Sequence, residues 1–188
     1  MKNKLTALFL CILFVTAAVA AVELVKLSEN PTKAKSIIRV AYDSGIEKPD
    51  LYQEKITQII QHEGRLSKKT ASLYSEYVIT AARVNGINAS LLLAVISVES
   101  RFNATSENKG ALGLMQVVAT AHGITNSKKL YNPEYNIQIG SGILKYYITK
   151  AGEINGGLAM YNGSYGISNV YYKKVLLQKQ YYDKILYT

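Results

Sequence analysis

The chain has 188 residues, of which 48% are hydrophobic and 19% charged, and this globular composition excludes a disordered or fibrous protein. A single cysteine excludes a disulfide framework, and two widely separated histidines exclude a multi-histidine metal site. The formal charge of +9 comes from scattered lysines and arginines that are typical of solvated helix faces, and no nucleic-acid-binding motif accompanies it. We therefore expect no nucleic-acid partner.

The N-terminal segment predicts export. Lys2 and Lys4 precede an uncharged run from Leu5 to Val22, and Ala18 and Ala20 occupy the two positions that a signal peptidase inspects. An uncleaved membrane anchor is the alternative, because the run is just long enough to span a bilayer. We expect cleavage after Ala20, which makes 1–20 a signal peptide and the protein periplasmic or associated with the cell envelope.

The next part of the chain predicts one helix after another. Apolar residues at helical spacing follow Asn30-Pro31, and a second apolar stripe extends from Pro49 to Gly64. A third helix is predicted from about Thr70 to Asn85, and Asn88 caps a fourth. The apolar residues of the fourth helix are Leu91, Leu92, Val95 and Ile96.

Residues 100–131 interrupt the helical pattern with glycines and polar residues, and they predict a long loop with short helical turns. A loop of this length inside a compact domain is usually functional. Further helices are predicted to begin at Asn132-Pro133, to run from Asn155 to Tyr161, and to follow a cap at Ser168. The sequence shows no alternating strand pattern of useful length, so the expected fold class is all-α.

Glu99 is the most informative residue. It shares the apolar face of the fourth helix and stands at that helix's end, where apolar neighbours and the helix dipole both disfavour a charged carboxylate. Both effects predict a raised pKa, which suits a carboxylic acid that delivers a proton near neutrality. The alternative is a glutamate at a helix end that simply points into water.

Two segments further along the chain carry groups suited to a sugar ligand. In Gly113-Leu114-Met115-Gln116, the glycine permits close backbone approach and the methionine offers an adaptable apolar contact. The glutamine amide can donate and accept hydrogen bonds, as sugar hydroxyl and acetamido groups require. In Ala159-Met160-Tyr161-Asn162, the tyrosine supplies a phenolic hydroxyl that can orient a carboxyl group.

Five segments follow one another along the chain: Glu99-Ser100, Gly113–Gln116, Asn136-Ile137 with Gly140, Ala159–Asn162 and the terminal Tyr171–Leu176. With these segments in this order, the chain resembles the soluble lytic transglycosylases, whose fold is similar to goose-type lysozyme. The resemblance covers about residues 71–180 and implies a lysozyme-like helical domain. We therefore expect a signal peptide at 1–20, an N-terminal helical extension at 21–68 and a catalytic domain at 69–188.

The resemblance also implies a role for individual residues. Glu99 matches the lone catalytic acid/base of the family, and Met115 and Gln116 match residues that line the sugar-binding cleft. Tyr161 matches the tyrosine that hydrogen-bonds the catalytic carboxyl, and Tyr171 matches a second tyrosine near the site. Two further substrate contacts are expected at Ser106 and Asn162. The interval between Glu99 and Gln116 is one residue shorter than in the commonest family pattern, which bears on the match of Ser106.

The resemblance implies cleavage of peptidoglycan between N-acetylmuramic acid and N-acetylglucosamine, with a 1,6-anhydro product and with no metal or cofactor. A hydrolytic muramidase is one alternative, in which Glu107 or Glu153 would supply a second carboxylate. A catalytically inactive wall-binding protein is another. Analogy with small exported enzymes suggests a cell-envelope secretion or conjugation complex as a partner.

Overall fold

The computed structural model describes residues 51–164 and 166–188, which belong to one compact unit. The expected signal peptide and the helix predicted after Asn30-Pro31 lie outside these residues. None of the helices described here combines the length and the hydropathy that a membrane span requires.

Helices account for most of the described residues, which confirms the all-α class. The six α-helices of this part of the chain are α1 (Leu51–Gly64), α2 (Lys68–Asn85), α3 (Ala89–Ser100), α4 (Pro133–Ala151), α5 (Ile154–Tyr161) and α6 (Val170–Leu186).

Local sequence features fix several of the helix ends. Gly86 ends α2 in the left-handed region, at φ 57°, where a residue without Cβ is unstrained. Asn88 accepts a hydrogen bond from the Ser90 amide at 2.8 Å and begins α3, and Asn132 begins α4 in the same way. Ser168 was expected to cap the last helix, but the N-cap position of α6 is Asn169, whose side chain makes no capping bond. The Ser168 hydroxyl lies one residue earlier and accepts from the Val170 amide at 3.3 Å.

Helix α3 lies at the centre of the core. All residues from Leu91 to Ile96 are buried, so this helix is covered on every side and not along one stripe. Glu99 stands in its last turn and is only partly buried. The helix therefore presents a single carboxyl group at the edge of an otherwise apolar core.

Helix α1 belongs to the same core. Ile56 and Ile60 are fully buried and Ile59 nearly so, and α1 packs against α2, α3 and α6. The compact unit includes the chain from residue 49 onwards. The expected boundary between residues 68 and 69 therefore does not separate an extension from the domain, because the buried face of α1 forms part of the domain's interior.

The long loop between α3 and α4 contains a small antiparallel sheet that the sequence did not predict. Its strands are β1 (Glu107–Asn108), β2 (Ala111–Leu112) and β3 (Val117–Val118), in the order β1-β2-β3. Ala111 pairs with Asn108 on one side and with Val118 on the other. Each strand has two residues, too few for an alternating pattern to be seen in the sequence.

Candidate active site

The carboxyl group of Glu99 meets a tyrosine from the last helix. The Tyr171 hydroxyl donates a hydrogen bond to Glu99 Oε1 at 2.6 Å, so α3 and α6 each contribute one side chain to this contact. The distance is typical of a hydroxyl bound to a carboxylate. The structure thus places two of the expected site residues, 72 positions apart in the chain, in direct contact.

Burial raises the pKa of Glu99 above its ordinary value, while the hydrogen bond from Tyr171 and the positive charge of Lys174 act in the opposite direction. Desolvation is the largest of these effects, because an apolar environment disfavours the charged form. This confirms the raised pKa predicted from the position of Glu99. A carboxyl group in this state is suited to proton transfer near neutrality.

The two tyrosines exchange the positions expected of them. Tyr161 was expected to hydrogen-bond the catalytic carboxyl, but its hydroxyl donates to the Met115 carbonyl at 2.7 Å, and Tyr171 holds Glu99 instead. Tyr161 is nevertheless close to the carboxyl, since burial and the nearby charge of Glu99 both raise the pKa of its phenol. The Met115 carbonyl accepts the one hydroxyl proton of Tyr161. Tyr161 therefore has no proton left to donate to Glu99.

The segment Gly113–Gln116 is fixed to the helices by two polar side chains. Ser100 Oγ donates to the Leu114 carbonyl at 2.7 Å, which ties the segment to the residue after Glu99. The buried amide of Asn136 on α4 donates to the carbonyls of Leu112 and Leu130, each at 2.8 Å, and accepts from the Met115 amide at 2.7 Å. These bonds give hydrogen-bond partners to three backbone groups of the loop.

Close packing explains two of the glycines in this region. A Cβ on Gly113 would lie 2.2 Å from the Leu130 carbonyl oxygen, and the residue has a positive φ of 75°. A Cβ on Gly140 of α4 would lie 2.7 Å from the Met115 side chain. Only glycine at both positions lets the segment lie directly against α4.

The same packing corrects the expected role of Met115. Its side chain was expected to line the sugar-binding cleft, but the residue is 0% exposed and lies against Gly140. Such a side chain supports the loop from inside and does not reach a ligand in the cleft. The carbonyl of Met115 matters for a different reason, because it anchors the hydroxyl of Tyr161.

Gln116 and Ser106 lie together in the loop. Gln116 Nε2 donates to the carbonyl of Ser106 at 3.0 Å and to that of Gly113 at 2.9 Å, which leaves Oε1 without a partner among the described residues. Both residues are partly exposed, and Asn162, at the end of α5, is exposed. Three groups remain candidates for substrate contacts: the Ser106 hydroxyl, the side-chain Oε1 of Gln116 and the side-chain amide of Asn162.

Two residues near the site had no signal in the sequence. Lys174 is one helical turn beyond Tyr171, and its charge lowers the pKa of Glu99. Glu63, at the end of α1, accepts hydrogen bonds from Ser97 and Gln178, residues 34 and 115 positions away. Neither a motif nor a periodicity could reveal contacts over such separations; a buried polar network has to be seen in three dimensions.

A family model described as the transglycosylase SLT domain matches residues 76–182. The chain therefore belongs to this family. A "Transglycosylase" of Enterobacteria phage PRD1 is 33% identical over 98 residues, which is 50% of this chain and 36% of the phage protein. The chain thus spans only about a third of the length of this relative. Among the described residues, no cluster of histidine, cysteine, aspartate and glutamate could hold a metal ion.

Proposed function

We propose that the chain is an exported peptidoglycan lytic transglycosylase that cleaves the β-1,4 bond between N-acetylmuramic acid and N-acetylglucosamine. Family membership supports the reaction class. The observation that carries the proposal is the desolvated carboxyl of Glu99, which the Tyr171 hydroxyl holds at the edge of the core. Export rests on the sequence of residues 1–22 and is proposed on that ground.

One carboxyl group suffices for this reaction. Protonated Glu99 gives its proton to the glycosidic oxygen, and the bond from C1 of the muramic acid to that oxygen breaks. The substrate's own acetamido group stabilises the positive charge at C1. The carboxylate then takes the proton of the C6 hydroxyl, whose oxygen bonds to C1 and closes a 1,6-anhydro ring. No water is consumed, and Glu99 ends the cycle protonated.

The surroundings of the other carboxylates favour this course over hydrolysis. Hydrolysis needs a second carboxylate that faces the first across the bond. Glu107 is exposed and accepts a hydrogen bond from Tyr131 at 2.6 Å. Glu153 stands just before α5, and Tyr161, which is close to Glu99, is the last residue of that helix. Glu153 and Tyr161 are eight positions apart, which is about 12 Å along the helix axis.

The products of digestion test the proposal. Purified peptidoglycan treated with the protein should yield fragments that end in 1,6-anhydro-N-acetylmuramic acid, and mass spectrometry should find them one water lighter than hydrolysed fragments. Borohydride should not reduce these ends. Reducible fragments with the full water mass would identify a muramidase, and intact glycan strands would identify a wall-binding protein without activity.

A further inference from the structure

A second partly buried glutamate, Glu63, lies outside the reacting groups and is held by three donors. Ser97 Oγ donates to its Oε2 at 2.7 Å, Gln178 Nε2 donates to its Oε1 at 3.0 Å, and the Tyr182 hydroxyl also donates to Oε2. Tyr182 itself is 0% exposed. Hydrogen bonds to a carboxylate are among the stronger ones in proteins. The end of α1 is thus firmly attached to its neighbours.

The three donors come from the two helices that carry Glu99 and Tyr171. Ser97 precedes Glu99 by two residues on α3. Gln178 follows Tyr171 by seven residues on α6, which is two helical turns along the same face and about 10 Å along the axis. The Glu63 carboxylate therefore joins α3 to α6 at a point two turns from the hydrogen bond between Tyr171 and Glu99.

We propose that Glu63 is a positioning residue, whose carboxylate fixes α6 against α3 and thereby keeps the Tyr171 hydroxyl on Glu99. Glu63 contacts no reacting atom and acts through Tyr171. The proposal rests on the proposed function, in which Glu99 is the acid.

The Glu63 carboxylate joins α3 to α6, where apolar packing would be the ordinary means of joining two helices. This favours a role in positioning side chains over a role in stability alone. Desolvating a charge is unfavourable, and well-packed apolar residues often give equal or greater stability at such a position. The apolar contacts for joining α6 to the core already exist, since Val175 and Leu186 are buried. A charged acceptor with three directed donors adds a fixed geometry that apolar packing does not impose.

The pKa of Glu99 can report whether the Tyr171 hydroxyl is in place. The groups that influence the Glu99 carboxyl are Tyr171 and Lys174 from α6, with Tyr161 of α5 also close by. The hydrogen bond from Tyr171 lowers the pKa of Glu99. Losing this bond alone therefore raises that pKa. A general loosening of the fold has the opposite effect, because water would reach the carboxyl and relieve its desolvation.

The experiment is a double-mutant cycle in the full chain, with the Glu99 carboxyl titrated by carbon-13 NMR. Glu63→Ala and Tyr171→Phe should each raise the pKa of Glu99, and the double variant should match Tyr171→Phe. In lytic assays, Glu63→Ala should lower kcat about tenfold with little change in KM, because the acid is misplaced and not the substrate. A lowered or unchanged pKa, or an effect that adds fully to that of Tyr171→Phe, would overturn the proposal.

Further variants separate this role from folding. Ser97→Ala removes one donor only, and it should raise the pKa of Glu99 less than Glu63→Ala does; it replaces Glu63→Ala if that variant does not fold. Glu63→Gln retains an acceptor for Ser97 and Tyr182 and should restore most of kcat. Glu54→Ala is the matched control on α1, where the glutamate is paired at the surface with Lys68.

The NMR titration does not require activity, so it tests Glu63 even if the protein fails to cleave peptidoglycan. Absence of cleavage by the unaltered chain would count against the proposed function. Normal cleavage with additive effects of the Glu63 and Tyr171 substitutions would count against Glu63 alone.

Discussion

A carboxyl group that gives up a proton and then takes one back works best when its pKa lies near the working pH. The surroundings of Glu99 act on that value in both directions. Burial raises the pKa, and Tyr171 and Lys174 lower it. The result is a carboxyl that binds its proton more tightly than an exposed glutamate but can still release it.

Replacing Glu99 by glutamine should abolish lysis while keeping the fold. The amide has the same shape but cannot deliver a proton. Turnover should therefore fall by a factor of about 10² to 10⁴. Because the folded-state pKa of Glu99 is raised, its ionisation weakens the fold as pH rises through that value. At neutral pH the variant should therefore melt at the same temperature or slightly higher. Turbidimetric lysis and thermal unfolding measure the two effects, and substantial residual lysis would move the acid role to another carboxyl.

Lys174→Gln should raise the pKa of Glu99, because a positive charge that favours the carboxylate is lost. The acid form then persists to higher pH, so the alkaline limb of kcat/KM should move upward. The effect should be largest at low ionic strength, since exposed charges are screened by salt. Lys173→Gln is the matched control from the neighbouring exposed position. An equal shift in both variants would show that net charge, and not Lys174, sets the profile.

The loop between α3 and α4 depends on α4 for its shape. Its strands have two residues each, and such short pairings do not hold a loop by themselves. Asn136 supplies the missing bonds, and Gly113 and Gly140 allow the contact. The loop segment next to Glu99 is therefore attached directly to α4.

Asn136→Ala should lower the free energy of unfolding by about 3 kcal/mol or more. It leaves two carbonyls and one amide of the buried loop without partners, and each such group costs about 1–3 kcal/mol. Lysis should also fall, because Met115 anchors Tyr161. Gln138→Ala, on the exposed face of α4, should change stability by less than about 0.5 kcal/mol. Urea unfolding of the two variants makes the comparison, and equal losses would refute the role of Asn136.

Some of these elements could be predicted from the sequence, and others could not. The starts of α3 and α4 follow from Asn88 and Asn132, because a capping side chain acts within three residues of itself. Glu99 is a candidate because of its place at the end of an apolar helix and because of the motifs that follow it in the sequence. The choice between Tyr161 and Tyr171 as its partner depends on how α5 and α6 pack, which no local pattern records. The burial of Met115 was missed for the same reason.

Helix α1 is part of the domain that carries the site. A chain of residues 69–188 should be unstable, whereas residues 49–188 should fold with the stability of the compact unit. Removing α1 exposes the core where Ile56, Ile59 and Ile60 were buried, a loss of roughly 5 kcal/mol or more. That approaches the total stability of many domains. Circular dichroism and thermal unfolding of both chains decide the matter; a cooperative transition in residues 69–188 would contradict it.

Three tyrosines of the core, Tyr161, Tyr171 and Tyr182, each donate a phenolic proton to an acceptor on another element. Burial raises the pKa of all three above the ordinary value near 10, so in the folded state these protons are retained in mild base. The unfolded chain releases them earlier, and the stability they contribute below that pH is lost as the pH rises further. Alkali should therefore unfold the protein cooperatively, with a late, steep rise in phenolate absorbance. Base should therefore act on the protein in two ways, by ionising Glu99 and by removing the phenolic protons that hold neighbouring elements together.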